Sequence, residues 1–280
     1  MTPFNLHCPP SGVEPVALVL DSPHSGTQFP ADFNTVLLPE MRRRGEDAFV
    51  DELFGKAPSL GASLLAATFP RIYIDANRAL DDIDPADFTE GWDGPVNPSP
   101  KTARGTGLIW TRMHGFQAIY DQLPNVPEVK ARIENYWRPY HNALADLIDD
   151  AHRQFGCVYH IDCHSMRSQG NKFDADGAVT RPDFVLGDRD GVTCEPAFTE
   201  LVAECLRGFG YSVDINVPYK GAELVARYSD PANGRHSLQI EINRSRYMDE
   251  AAMEKSAEFD TLHDHLTEML AVVRRFVVDR

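Results

Sequence analysis

The sequence predicts a single α/β domain over residues 1–280, with a mixed, mainly parallel central sheet flanked by helices. Short continuous apolar runs end in clusters of Gly, Pro and polar residues, which is typical of strands buried on both faces of a sheet. Segments with apolar residues at helical spacing alternate with these runs. This alternation of strands and helices is the pattern of an α/β fold, and no internal repeat interrupts it.

Eight segments have the character of strands. The run at 15–20 is continuously apolar, whereas the segments at 71–75 and 238–243 alternate between apolar and polar residues. A further strand begins at Val158 and runs into the polar cluster Asp162-Cys-His-Ser165. In chain order the predicted strands lie at 15–20, 61–67, 71–75, 105–110, 158–161, 183–187, 212–217 and 238–243.

Four segments have the periodicity of amphipathic helices, at 38–56, 127–155, 196–209 and 253–278, and Pro139 is a point of interruption in the second. Residues 81–104 are acidic and then rich in Pro, Gly and Asn, which predicts a long surface loop. Loops of that length often act as lids or binding loops.

The charge and the cysteines narrow the functional class. A formal net charge of −15 argues against nucleic acid and anionic membrane as partners, because both require a basic surface. The five Cys include no CxxC pair, which favours a reducing compartment. No signal peptide pattern or membrane-spanning apolar run is present, so we expect a cytoplasmic protein. The sequence carries no indication of its oligomeric state.

Metal-competent side chains follow several of the predicted strands. His24 and His164 each come where a strand ends, and the carboxyl ends of strands are where α/β sheets bind ligands. Two His and one carboxylate form a zinc site with an open fourth position, as in zinc hydrolases. The third ligand is either Glu46 or Asp47. Asp162 shares a strand face with His164 and is expected to orient its ring.

Three further residues complete a hydrolytic constellation. Glu241 is then free to act as the general base towards a zinc-activated water. Arg71 and Arg78 bracket a predicted strand and are suited to holding a substrate carboxylate. A rival hydrolase would use Cys163 or Ser165 as nucleophile, but neighbours on a strand point to opposite faces, so His164 is badly placed to activate either.

Seven stretches of the sequence occur in an order known from one family. Two of them are Ser-Pro-His-Ser-Gly at 22–26 and His-Ile-Asp-Cys-His-Ser at 160–165. The others lie at 46–54, 73–78, 218–221, 239–243 and 247–250. On these stretches the sequence resembles the N-formylglutamate amidohydrolases, or N-formylglutamate deformylases. That family is related to zinc carboxypeptidases and aspartoacylases, so the resemblance implies a phosphorylase/hydrolase-like, zinc carboxypeptidase-like fold.

The resemblance also implies a role for each site residue. It implies that His24, Asp47 and His164 bind Zn2+, with Glu46 as the fallback ligand. Thr27 occupies the position where carboxypeptidase-type relatives carry the acidic ligand, so the carboxylate must come from elsewhere. The other implied roles are Glu241 as base and later proton donor, Arg71 as the group that polarises the scissile carbonyl or contacts a second carboxylate, and Arg78, Asn77 and Ser165 as substrate-binding residues.

The implied reaction is the metal-dependent hydrolysis of an N-formyl or N-acyl amino acid that carries a carboxylate. For N-formyl-L-glutamate, a substrate associated with histidine degradation, the products are formate and glutamate. Two alternatives remain open from the residues. One is a carboxypeptidase-like or aspartoacylase-like hydrolase of another acidic amide or peptide, and the other is a non-catalytic binder of acidic ligands. The run Ala-Glu-Leu at 222–224 departs from the family pattern and indicates an altered substrate pocket.

Overall fold

The structure, a computed structural model, describes residues 2–89, 91–113, 117–171 and 176–280. Its strands are β1 (Phe4–His7), β2 (Leu18–Ser22), β3 (Ser63–Ala67), β4 (Arg112–Met113), β5 (Gln117–Ala118), β6 (Val158–Met166), β7 (Phe184–Gly187), β8 (Val213–Ile215), β9 (Arg235–Asn243), β10 (Met248–Asp249) and β11 (Glu254–Lys255). Its α-helices are α1 (Pro39–Arg42), α2 (Val50–Leu53), α3 (Val126–Arg132), α4 (Arg138–Phe155), α5 (Pro196–Gly208), α6 (Glu223–Tyr228) and α7 (Phe259–Val278).

Seven strands form one mixed sheet in the order β1-β3-β2-β6-β9-β7-β8. The four neighbours β3, β2, β6 and β9 run parallel to one another, whereas β1 and the pair β7 and β8 run antiparallel to them. The prediction of a mixed, mainly parallel sheet flanked by helices is therefore confirmed. The four parallel strands end at the same edge of the sheet, which is where side chains that follow them can meet.

Alternation along the strands divides the apolar side chains between two cores, one on each face of the sheet. Val19 and Val158 pack with Leu144 of α4 on one face. Leu20 packs with Leu266 of α7 on the other face, where α2 and α5 also contribute. Both faces are thus covered, which is why every residue of β2 and β6 is buried, including the polar ones.

The predicted helix at 38–56 is wrong. The chain forms two short helices there, α1 and α2, with a 3-10 turn and non-helical residues between them. Phe49 lies in the left-handed region with φ of 64°, and the N–H of Asp47 donates to the carbonyl of His24 over 3.0 Å instead of to a helical carbonyl. The helical spacing of the apolar residues reflects their burial against the sheet, which does not require a continuous helix.

The predicted strands at 71–75 and 105–110 are also wrong. Ile72 and Ile74 are buried, but the N–H of Tyr73 donates to the carbonyl of Pro70 in a turn, and the N–H of Asp75 donates to a loop carbonyl. The second segment forms only an isolated bridge between 106 and 110. All four residues at 72–75 are buried, so the apolar pattern reflects a turn packed into the core and does not require a strand.

The long helix predicted at 127–155 runs from Val126 to Phe155 and continues through Pro139. A π-helical segment, Ile133–Trp137, ends two residues before the proline. Such a widening accommodates a residue that has no N–H to donate, so the interruption takes the form of a local bulge instead of a break. The last helix begins at Phe259 and not at 253, because β11 pairs with β10 before it.

The predicted loop at 81–104, apart from Glu90, which lies outside the described residues, contains two 3-10 turns, Pro85–Asp87 and Thr102–Arg104. It also contributes the buried side chains of Ile83 and Phe88 to the core that contains Val19 and Leu144. The segment is therefore anchored to the domain on one side and exposed on the other. None of the helices in the described part of the chain has the length and apolar character of a membrane span.

Candidate active site

The polar residues expected to form a site lie at the edge where β3, β2, β6 and β9 end. His24 follows the last residue of β2 by two positions, and His164 and Glu241 are paired in register near the ends of β6 and β9. Because β6 lies between β2 and β9, the three side chains converge from neighbouring strands.

Three buried side chains present ligand atoms to one another at the centre of this edge. Nδ1 of His24 lies 3.1 Å from Nδ1 of His164. Oδ2 of Asp47 lies 3.3 Å from the first ring and 2.9 Å from the second. Ligands bound at 2.0–2.1 Å in a tetrahedral site are separated by about 3.3 Å, so the three atoms fit three corners of a tetrahedral metal site with one open position.

A buried carboxylate lies behind each of the two imidazole rings. Nε2 of His24 lies 2.7 Å from Oδ1 of Asp75, and Nε2 of His164 lies 2.7 Å from Oδ1 of Asp162. Metal-binding histidines commonly donate their second ring N–H to such a carboxylate, which fixes the ring and directs the other nitrogen towards the metal. The amide of Asn77 adds contacts to Asp162 Oδ2 and to His164 Nε2.

The charges of the cluster favour a bound cation. Burial alone would raise the pKa of Asp47, but hydrogen bonds from His164 and His24 and the charge of Arg71 hold the pKa of this carboxyl well below its usual range. Burial would likewise lower the pKa of His164, yet Asp162 and Asp47 raise it well above the ordinary value. The cluster therefore stabilises positive charge at its centre, and a metal ion satisfies that requirement as well as a proton does.

The broken helix at 38–56 brings Asp47 to the cluster. The N–H of Asp47 donates to the carbonyl of His24, and the carbonyl of Asp47 accepts from the hydroxyl of Ser25 over 3.0 Å. Gly26 lies against the backbone of Phe69, so closely that a Cβ there would lie 2.3 Å from the Phe69 carbonyl oxygen. The loop after β2 and the segment before α2 are thus held together, and they carry two of the three ligand atoms.

Glu46, the fallback ligand, lies outside the cluster. Its Oε2 accepts from Nε of Arg43 over 3.1 Å, and its Oε1 has no hydrogen-bond partner among the described residues. Burial, opposed by the charge of Arg43, raises the pKa of Glu46 to about 7. Asp47 is therefore the acidic residue that the fold places beside the two histidines.

Glu241 lines the same cavity and is held by a short chain of hydrogen bonds. Its Oε1 accepts from Nε2 of Gln239 over 3.0 Å, and the amide oxygen of Gln239 accepts the N–H of Ala222 over 3.1 Å. Burial, partly offset by the charge of His164, raises the pKa of Glu241 to about 7. A carboxylate with that pKa can take up and release a proton near neutral pH.

The two arginines converge on Asp75 from the turn that follows β3. Arg71 donates to Asp75 Oδ2 through Nη2 over 2.9 Å, and its Nη1 lies 3.7 Å from Asp47 Oδ1. Arg78 donates to the carbonyl oxygens of Asn77 and Thr106 and lies 3.7 Å from Asp75. Both arginines and Asn77 line the cavity, although Asn77 also uses its amide oxygen to accept the N–H of the α6 residue Leu224.

Ser165 and Cys163 differ in their access to the cavity. The hydroxyl of Ser165 lines it and accepts from Nε of Arg244 over 3.0 Å, and Arg244 also donates to Asp47 Oδ1 over 2.9 Å. Cys163 is fully buried in the core that contains Leu20 and Leu266, where burial raises the pKa of its thiol. A buried, protonated thiol is a poor nucleophile.

The cavity has a volume of about 390 Å³ and a strongly basic lining. Among the described residues, its lining includes nine Lys and Arg side chains and three acidic ones, in a chain whose net charge is −15. Such a concentration of positive charge in a concave site favours anionic ligands.

Sequence reasoning did not assign four residues that shape this site, namely Asp75, Lys101, Gln239 and Arg244. Asp75 and Gln239 lie within stretches that resemble the family, and each sits two residues from a residue that was singled out. Lys101 belongs to a segment interpreted as a surface loop. Its position in the cavity depends on how that loop folds back, which no local pattern indicates.

Comparison with known proteins agrees with this geometry. The family model described as N-formylglutamate amidohydrolase matches residues 16–248. The chain is 32% identical over 239 residues to the N-formylglutamate deformylase of Pseudomonas putida, covering 83% of this chain and 82% of that protein. The same enzyme of Pseudomonas aeruginosa is 32% identical over 241 residues, with 85% and 84% covered. The crystal structure of N-formylglutamate amidohydrolase from Ralstonia eutropha JMP134 is 46% identical, with 100% and 99% covered and a TM-score of 0.94.

Proposed function

This chain belongs to the N-formylglutamate amidohydrolase family, and from that premise we propose that it hydrolyses the amide bond of N-formyl-L-glutamate, or of a closely related N-acyl amino acid, to release formate and glutamate. We further propose that the reaction depends on zinc held by His24, Asp47 and His164. The convergence of these three ligand atoms beside Glu241, within a basic cavity, is the observation that carries the proposal.

Zinc bound at this position would lower the pKa of a water molecule and polarise the substrate carbonyl. Glu241 is the residue in the cavity that is suited to moving protons. Because Oε1 is held by Gln239, Oε2 is the atom that takes the proton of the attacking water. The same carboxyl group then returns the proton to the amide nitrogen, so that the C–N bond breaks and a neutral amine leaves.

The arginines supply charge to the reacting groups. Arg71, whose position Asp75 fixes, stabilises the negative charge that develops on the carbonyl oxygen during attack. Arg78, together with Asn77 and Ser165 in the lining of the same cavity, binds a substrate carboxylate and so sets the position of the amide relative to Glu241.

The substitution Glu241→Gln tests the role of the base. Because the amide keeps the size of the side chain but cannot accept the proton, turnover of N-formyl-L-glutamate should fall by about 10²–10⁴-fold. Formate release measures the rate, and elemental analysis should still find about one zinc per chain, as for the unmodified protein. Retained turnover in this variant would exclude Glu241 as the base, whereas loss of the metal would show that the residue holds the site together.

A further inference from the structure

Two cations in the cavity lining, Lys101 and Arg104, have no side-chain hydrogen bond or ion pair with any described residue, whereas most of the other basic residues of the lining do. Most of the basic residues in the lining are paired, as in Arg44 with the carbonyls of Glu250 and Ala251, Arg71 with Asp75, Arg244 with Asp47, and Lys220 with Asp190. Lys101 also lines the cavity, and within the described part of the chain its ammonium group makes no hydrogen bond or ion pair.

The backbone of Lys101 is nevertheless held firmly. Its carbonyl oxygen accepts the N–H of Arg104 over 2.9 Å, and both the N–H and the hydroxyl of Thr106 over 3.0 Å. Its own N–H donates to the hydroxyl of Ser99 over 3.2 Å. The buried carboxylate of Asp82 in turn accepts from the N–H and the hydroxyl of Ser99, so the whole turn is anchored to the domain.

The same contacts place Lys101 next to Arg78. The carbonyl of Thr106 accepts from Nε of Arg78 over 3.1 Å, so one residue connects the backbone of Lys101 with the Arg78 guanidinium. The charge of Arg78, then burial, and then the charge of Arg71 lower the pKa of Lys101 to about 7. Because the residue keeps contact with solvent, repulsion between the cations is the main cause. An anion bound between them would relieve that repulsion.

The difference in burial between Arg78 and Lys101 corresponds to the different distances of the two carboxylates from the acyl group in an N-acyl glutamate. In that molecule three bonds separate the acyl carbon from the α-carboxylate carbon, whereas five bonds separate it from the side-chain carboxylate carbon. Arg78 is buried and shares Asp75 with His24, while Lys101 lines the same cavity and is exposed to solvent. A substrate whose acyl group lies beside His24, Asp47 and His164 therefore directs the carboxylate nearer to that acyl group to Arg78 and the farther carboxylate towards Lys101.

We propose that Lys101 binds the side-chain carboxylate of an N-acyl amino dicarboxylate and thereby sets the preference for substrates with two carboxylates over those with one. The proposal rests on the proposed function for the identity of the reaction, and it adds the residue that selects the acidic side chain.

Binding of the product amino acid tests this without depending on turnover. In titration calorimetry with the zinc-loaded protein, L-glutamate should bind about ten- to a hundredfold more tightly than its neutral isostere L-glutamine, as expected for one charged hydrogen bond. Lys101→Met should remove that preference while leaving the affinity for L-glutamine within about twofold. Lys101→Arg keeps the charge and should retain most of the preference.

Two further variants serve as comparisons. Lys56→Met removes an exposed lysine that is absent from the cavity lining and should leave the preference intact. Arg104→Met removes the other cation of the same turn. The proposal is overturned if Lys101→Met keeps the preference, if Arg104→Met abolishes it instead, or if the unmodified protein shows no preference. Formate release from N-formyl-L-glutamate by the unmodified protein tests the proposed function separately, so the two failures are distinguishable.

Discussion

Each candidate metal-binding histidine is fixed by a carboxylate on its far side, and these carboxylates determine how well the cluster is organised. Asp75 contacts His24 through Oδ1 and accepts from Arg71 and the indole N–H of Trp110 through Oδ2. It therefore positions one ring of the cluster and one arginine of the cavity at the same time. Burial would raise the pKa of Asp75, but the charges of Arg71 and Arg78 hold it well below its usual range.

The substitution Asp75→Asn should weaken zinc binding by about ten- to a hundredfold, because the amide keeps the shape but loses the charge behind the His24 ring. Competition with a chromophoric chelator measures the change in affinity. Asp32→Asn is the matched control, since Asp32 accepts from the hydroxyl of Tyr73 and lies outside the cluster. Equal zinc affinity in Asp75→Asn and the unmodified protein would contradict the role given to Asp75.

At this scale the sequence was informative where a polar residue follows an apolar strand. His24, His164 and Glu241 could be singled out because each follows or ends such a run. The choice between Glu46 and Asp47 could not be made from the residues alone, because adjacent acids in a predicted helix look alike. It depends on the non-helical backbone at this point, where the N–H of Asp47 bonds to His24.

The loop after β2 is the element on which the cluster most depends. Gly26 packs against the Thr68 and Phe69 backbone, and a Cβ at this position would lie 2.5 Å from the Thr68 carbonyl carbon. A contact this short would displace the loop, and His24 lies only two residues before it. The glycine is therefore required by close approach of two backbone segments and not by an unusual dihedral angle.

Gly26→Ala should lower the free energy of unfolding by about 1–3 kcal/mol, the cost of overpacking a rigid contact. Urea denaturation measures this change, and the zinc affinity should fall with it because the loop carries His24. Gly208→Ala is the control, since a Cβ at this helical position meets no atom within 4 Å. That variant should gain up to about 1 kcal/mol in stability. Wild-type stability in Gly26→Ala would rule out the close packing.

Helices and strands with a long, regular pattern of apolar residues were predicted well, whereas short segments were not. The helices α4, α5 and α7 and the strands of the parallel core lie within a few residues of their predicted positions, apart from the later start of α7. The strand predicted at 71–75 was wrong because Ile72, Tyr73 and Ile74 all enter the core from a turn. The edge strand β1 was not predicted, because its partner β3 is distant in sequence. The helix α6 was not predicted either, because its six residues are too few to show a helical period.

For the whole molecule, the seven-stranded sheet lies between the two cores, and we propose on this basis that residues 1–280 form one domain. The basic residues are concentrated at one edge of this sheet. The chain is strongly acidic as a whole, but nine of its 27 Lys and Arg residues are among the described residues that line the cavity at the end of the parallel strands. A negatively charged substrate is thus repelled by most of the surface and attracted by the site.

The most direct test of the account is metal content measured together with hydrolysis of N-formyl-L-glutamate. We predict about one zinc per chain by elemental analysis, with formate and glutamate released in equal amounts. Removal of the metal by a chelator should abolish the activity, and added zinc should restore it. Full activity in protein stripped of metal would contradict the central claim, and so would stoichiometric zinc without hydrolysis of N-formyl-L-glutamate or any related N-acyl amino acid.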